Sequence, residues 1–160
     1  MLRTVFFILA FWSTTAVAQD TLLMSVRKNV GEMFKTEDVC LKLYDAFEKT
    51  DCSKNNLLVG YHGAVLLGMA RHDGNVFKKM SYFGDGKDLL EKSIQVDPEN
   101  IELRFLRLTI QTHMPSFLGY SESKESDKKF VVSHLEEAPS EEFKKRVRGF
   151  IKHAEEQGKL

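Results

Sequence analysis

From residue 21 to residue 154 the apolar positions recur at intervals of three and four, and strand-like alternation is nearly absent. That period predicts helices throughout. A first helix over 21–34 puts Leu22, Val26, Val30 and Met33 on one stripe. A second over 36–50 aligns Val39, Leu43 and Phe47, with Cys40 and Tyr44 beside them. Asp51 to Asn56 is polar turn chemistry. The third helix, LLVGYHGAVLLGMAR over 57–71, is apolar on nearly every side and is therefore expected at the centre of the packing. Gly60, Ala64 and Gly68 fall four apart on it, a strip of small side chains that invites close approach by another helix. Each glycine lowers helix propensity by ~1 kcal/mol, so the strip calls for a packing reason.

His72-Asp73-Gly74-Asn75 closes that helix, and the apolar phase resumes over 76–96 through Val76, Met80, Phe83, Leu90 and Ile94. The phase survives Gly84-Asp85-Gly86, which predicts one long helix with that triplet as the place for a kink. A fifth helix runs over 99–113 and is interrupted at Pro115. The stretch from Pro115 to Tyr120 is an apolar loop, and a sixth helix over 121–136 turns Phe130, Val131 and Leu135 inward. Ser140 is a good N-cap for the last helix, with Glu141 and Glu142 in its first turn and Phe143, Val147, Phe150, Ile151 and Ala154 as its buried stripe.

Ahead of these helices the pattern changes. Arg3 is followed by an uninterrupted apolar run from Val5 to Trp12, then by Ala16-Val17-Ala18, a small-x-small signal before Gln19-Asp20. This is the layout of a secretory signal peptide cut between Ala18 and Gln19. The run is well short of the ~20 residues that span a bilayer, so a membrane anchor is the weaker reading. The expected mature chain, 19–160, is the length of a single domain with one core and has no membrane span.

Charge narrows the partners. The full chain carries 23 basic and 23 acidic residues, spread without long blocks of one sign. A chain so balanced has no overall electrostatic reason to bind nucleic acid or an anionic membrane. Export would permit a disulfide between Cys40 and Cys52, the two cysteines. However, twelve residues of mostly helical rise place them roughly 15 Å apart, beyond the ~7 Å a disulfide allows. Two free thiols are expected.

One segment resembles a known repeat. LLEKSIQVDPEN, 89–100, looks like the closing half of a tetratricopeptide repeat, with Pro98 at the repeat's proline and Ser93 where the repeat prefers alanine. The fold expected from it is all-α, with antiparallel helical hairpins forming a short TPR-like array of about seven helices. A wider resemblance, carried by YHGAVLLGMAR, LLEKSIQVDPENIELRFLRLTIQ and PSFLGY followed by Asp127-Lys128-Lys129-Phe130, is to an uncharacterised family of exported proteins of Gram-negative bacteria. It implies a periplasmic setting and supplies no catalytic residues.

The candidate chemistry lies on the fifth helix. At ~100° per residue, Ile101, Phe105 and Leu108 face one way and Leu103, Leu106 and Ile110 the other. Arg104, Arg107 and Gln111 share one remaining edge, and Glu102 and Thr109 the other. Two readings of the arginine edge are open. Arg104 and Arg107 can pair with carboxylates on an adjacent helix and fix its register, since a guanidinium makes bidentate contacts and keeps its charge when partly buried. Or, with Gln111, they can line a groove that captures an acidic peptide or a terminal carboxylate. Phe117, Leu118 and Tyr120 either fold under the last helices or form an apolar patch for a partner.

The remaining motifs are weaker. His62, on an apolar helix, reads as a core or rim residue. His134-Leu135-Glu136-Glu137 and His153-Ala154-Glu155-Glu156 share a pattern, but His and Glu two apart on a helix point apart, and no zinc spacing occurs. The sequence shows no nucleophile elbow and no phosphate-binding glycine loop. The expectation is thus a non-enzymatic periplasmic binder of a protein or peptide, needing no cofactor or metal, with Arg104, Arg107, Gln111, Phe117 and Tyr120 as its partner-binding residues. The alternatives are a small-ligand binder or enzyme with a pocket between helices three and five, or a structural subunit of an envelope complex.

Overall fold

A computed structural model describes residues 5–138 and 140–160. Among them are seven α-helices, two short 3-10 turns and no strand, so the fold is an all-α helical array. The helices are α1 (Val5–Asn29), α2 (Glu37–Glu48), α3 (Asn56–His72), α4 (Val76–Val96), α5 (Ile101–His113), α6 (Lys124–Ser133) and α7 (Glu141–Glu156). The described residues sort into two compact units, divided between Ser93 and Ile94.

Several boundaries follow from capping. The Asn55 side chain accepts a hydrogen bond from the Leu58 amide, Asn100 accepts from the Glu102 and Leu103 amides, and Ser140 accepts from Phe143. Each satisfies amide groups that the first helical turn leaves without a partner. α4 spans the predicted 76–96. α1 departs from expectation at both ends: it reaches back to Val5, and it stops at Asn29, where turns replace helix through Lys35. The bond between Ala18 and Gln19 therefore lies inside α1. Ala18 is exposed, and the Gln19 amide group donates to the Asp51 carbonyl at 2.6 Å.

In the first unit, α2 and α3 run antiparallel. The Phe47 ring stacks on His62 near one end, and the Cys40 thiol faces the Val65 carbonyl at 3.7 Å near the other. α3 and α4 are antiparallel as well. At one end Ser93 Oγ donates to the Asn56 carbonyl (2.5 Å) while Asn56 Nδ2 donates to the Ser93 carbonyl (2.8 Å). That reciprocal pair accounts for a buried serine at the position where the tetratricopeptide resemblance expects alanine. Farther along, Gly63 meets Gly86 with backbone against backbone. A Cβ on Gly63 would lie 2.6 Å from the Gly86 carbonyl oxygen and 2.8 Å from the Leu90 nitrogen. The glycine triplet read as a place for a kink is instead where α4 crosses α3.

The expected small strip has a different neighbour. Gly68 and the fully buried Ala64 share a face of α3, and a Cβ on Gly68 would meet the Cys40 sulfur at 2.8 Å and Met33 beyond it. α3 thus presents two small-residue surfaces, one to α4 and one toward α2 and Met33.

In the second unit, Phe105, Val131, Leu135, Ala138, Phe143 and Val147 form one apolar cluster, with Ile101, Phe130, Phe150 and Ile151 against it. Phe105 meets Phe143 and Phe150 edge to face, the arrangement that aromatic quadrupoles favour. α7 runs back along this segment: Lys128 of α6 pairs with Glu155 (2.9 Å), and Glu136, just past the end of α6, pairs with Arg148 (2.6 Å). The expected sixth helix is shorter than its pattern: α6 ends at Ser133 and a 3-10 turn, Leu135–Glu137, carries Leu135 into the cluster.

Candidate functional site

The edge of α5 that carries the arginines is covered. Asp127, in the first turn of α6, is fully buried, and its carboxylate takes both guanidinium groups. Arg107 donates through Nε to Oδ2 at 2.6 Å and through Nη2 to Oδ1 at 2.8 Å, a bidentate fork. Arg104 donates through Nε to Oδ1, reaches the Pro98 carbonyl through Nη1 at 3.3 Å, and lies over the Phe130 ring with its guanidinium carbon 4.6 Å from the centroid. Three elements thus meet in one cluster: α5 through two arginines one turn apart, α6 through the Asp127 carboxylate that accepts from both, and the Asp-Pro turn before α5 through the Pro98 carbonyl that accepts from Arg104.

The physical logic is that of a buried ion pair. A carboxylate taken out of water is costly unless paired and hydrogen-bonded. Here three N–H groups from two cations satisfy both oxygens. Planar guanidinium geometry makes the fork, and a lysine in either place would supply charge without the second parallel bond.

Of the residues expected to meet a partner, Arg104 and Arg107 therefore have an internal partner, which is the register-fixing arrangement. Gln111 is buried one turn further along, and its Oε1 has no hydrogen-bond partner among the described residues. Both apolar faces of α5 are buried, and so is the arginine edge at Arg107 and Gln111.

The loop residues divide. Tyr120 is buried, whereas Phe117, in the 3-10 turn Ser116–Leu118, is 84% exposed. Neither expected alternative describes the loop as a whole: one end is folded in and the other presents an aromatic ring to solvent.

His62 stacks on Phe47 and lies 3.8 Å from Glu48. Burial holds its pKa below the ordinary histidine value, and Glu48 pulls the other way. Both cysteines are free. Burial, reinforced by Glu37, pushes the Cys40 thiol up to about 11, and burial also raises Cys52. A thiol so shifted is a poor nucleophile near neutral pH. His134 stacks on Phe130 and Glu136 pairs with Lys144 and Arg148, so this His-x-Glu-Glu run is spent on local contacts. Among the described residues no group of three or more His, Cys, Asp or Glu is placed to hold a metal ion. Nor is any helix long and apolar enough to cross a membrane.

The fold and its buried charge cluster define an all-helical protein whose most concentrated polar chemistry holds two helices together. Comparison of the chain with family models, with curated proteins and with solved structures gave no match.

The sequence reading missed Asp127 as the partner. It sits in Ser126-Asp127-Lys128-Lys129, a polar run that reads as solvated surface. The available signal was its place one turn before the apolar-inward residues of α6: Asp127 and Val131 are four apart and share the buried face.

Proposed function

We propose that the protein is an exported, non-enzymatic helical array, TPR-like in its hairpin arrangement, that binds a protein or peptide in the periplasm. The observation that carries this reading is Phe117. A large aromatic ring stands 84% exposed on a short turn between two helices that the Asp127 cluster fixes to each other. Buried Tyr120 anchors the same turn three residues later. Aromatic side chains, phenylalanine among them, are enriched at protein–protein interfaces. Arg104, Arg107 and Gln111 then serve recognition indirectly, by positioning that turn.

Export is supported by the amino-terminal pattern and by the resemblance to exported bacterial proteins. It is compatible with the packing, because Ala16, Val17 and Ala18, just before the expected cut, are exposed, while Leu22 and Val26 further along α1 are buried. The mass of the protein recovered from cells is expected to match a chain beginning at Gln19; retention of Met1 would contradict export.

The binding reading is tested by crosslinking from periplasm with wild type and Phe117→Ala. Phe117→Ala should melt within about 0.5 kcal/mol of wild type, as surface substitutions do, and lose a crosslinked partner that wild type captures. Identical crosslinking patterns for the two would remove Phe117, and this reading with it.

A further inference from the structure

The apolar stripe of α4 keeps one phase along its length, yet its two halves have different fates. Leu90 and Ile94 are buried, whereas in the first two turns Val76 is 66%, Phe77 85% and Met80 68% exposed. These three side chains form one contiguous apolar tip, because residues four apart stack on a helix face and Phe77 adjoins them. The Asn75 side chain caps the helix by accepting from the Phe77 and Lys78 amides, so the tip begins at a defined helix start.

The sequence on either side of the tip is basic although the chain as a whole is neutral. Arg71 at the end of α3 and Lys78 and Lys79 in α4 stand against Asp73 alone between residues 71 and 80. The first turn of α4 carries no acidic residue. Lysines at the positive end of a helix dipole oppose the helix's own electrostatics, so helix stability gives no reason for them there.

The geometry points to a membrane-surface contact: the tip inserts Val76, Phe77 and Met80 among anionic phospholipid headgroups, with Lys78, Lys79 and Arg71 against the phosphates. Exposed apolar side chains beside cations are the combination that favours a membrane interface, since buried apolar area and attraction to anionic lipid both contribute. A second copy is disfavoured by charge, since the same tip would meet its own basic residues. The overall charge balance, which gives no reason for membrane binding, averages away this local arrangement. The inference concerns residues of the first unit and stands apart from the partner-binding reading at Phe117.

The test is sedimentation of the protein, as recovered from cells, with vesicles of phosphatidylethanolamine containing phosphatidylglycerol, and with vesicles of phosphatidylcholine alone. Wild type should partition onto the anionic vesicles and release as salt is raised. Removing each lysine in Lys78→Gln and Lys79→Gln should weaken the partition about fivefold. Phe77→Ser should weaken it at least as much, and Phe117→Ser not at all. Circular dichroism should show all these variants folded, because the side chains are exposed. Equal partition of wild type and Phe77→Ser would assign vesicle binding to another segment and overturn the inference. So would wild type left in the supernatant, or a wild-type dimer in solution that Phe77→Ser dissociates.

Discussion

Replacing Arg107 with alanine is expected to lower stability by about 3–5 kcal/mol, the range for breaking a buried pair from one side. Arg107 donates two side-chain hydrogen bonds to Asp127, and Asp127 is fully buried, so the carboxylate cannot turn to water for replacement. For a chain of this size such a loss corresponds to a fall in Tm on the order of 10 °C. Arg107→Lys should fall between, because charge is kept and one arm of the fork is lost. Arg104→Ala should cost less, about 1.5–3 kcal/mol for a hydrogen bond to a charged group, since the fork from Arg107 remains. Thermal melts followed by circular dichroism give the order directly: Arg107→Ala lowest, then Arg107→Lys and Arg104→Ala, then wild type. An Arg107→Ala protein that melts like wild type would mean that the arginine edge is solvated surface.

The second large effect concerns two glycines that the sequence leaves indistinguishable. Gly86→Ala would place a Cβ 2.7 Å from the Gly63 carbonyl oxygen and 3.0 Å from the Leu67 nitrogen. Backbone cannot step aside as a side chain can, so α3 and α4 must separate. Gly63→Ala is tighter still, at 2.6 and 2.8 Å from backbone atoms of α4. Overpacking of this kind costs typically 1–3 kcal/mol, occasionally more, and backbone contact puts both substitutions at the upper end, even after the ~1 kcal/mol that alanine gains in helix propensity. Gly84, two residues away on the same helix, is exposed and has nothing within 4 Å of an added Cβ. Gly84→Ala should therefore stabilise, by up to ~1 kcal/mol. Urea midpoints should move in opposite directions for the two α4 glycines. A shift of the same sign in both would show that the Gly63–Gly86 crossing is not a close one.

The division between what the sequence disclosed and what it concealed follows the range of the interactions. Helix identity and most boundaries are local, and they were legible: the helix over 76–96, the cap at Ser140 and Phe143, Val147 and Ala154 on the buried stripe of α7 all stand in the structure. The apolar run of α1 was legible as composition but not as helix, because an export signal and a helix starting at Val5 share the same residues. At its other end Val30 and Met33 kept the helical spacing although the chain had already turned; Met33 is buried from a turn rather than from a helix. Which elements meet is non-local. Nothing in Gly84-Asp85-Gly86 says which glycine touches another helix, and α4's stripe does not reveal that half of it stays uncovered. The arginine edge shows the same limit. Sequence placed Arg104, Arg107 and Gln111 together and offered pairing or capture; only the approach of α6, some twenty residues on, supplies the carboxylate.

That pairing is the centre of the account, and a double-mutant cycle on Arg107 and Asp127 tests it most directly. Stability would be measured by urea unfolding for wild type, Arg107→Ala, Asp127→Ala and the double variant. If the two side chains interact as the structure places them, each single change leaves a buried charge short of its partner, and the double variant loses much less than the sum of the two. A coupling energy of about 2–3 kcal/mol is expected, at the upper end for residues in direct contact. Strict additivity, with a coupling near zero, would contradict the brace and return Arg104 and Arg107 to the reading in which they face a partner.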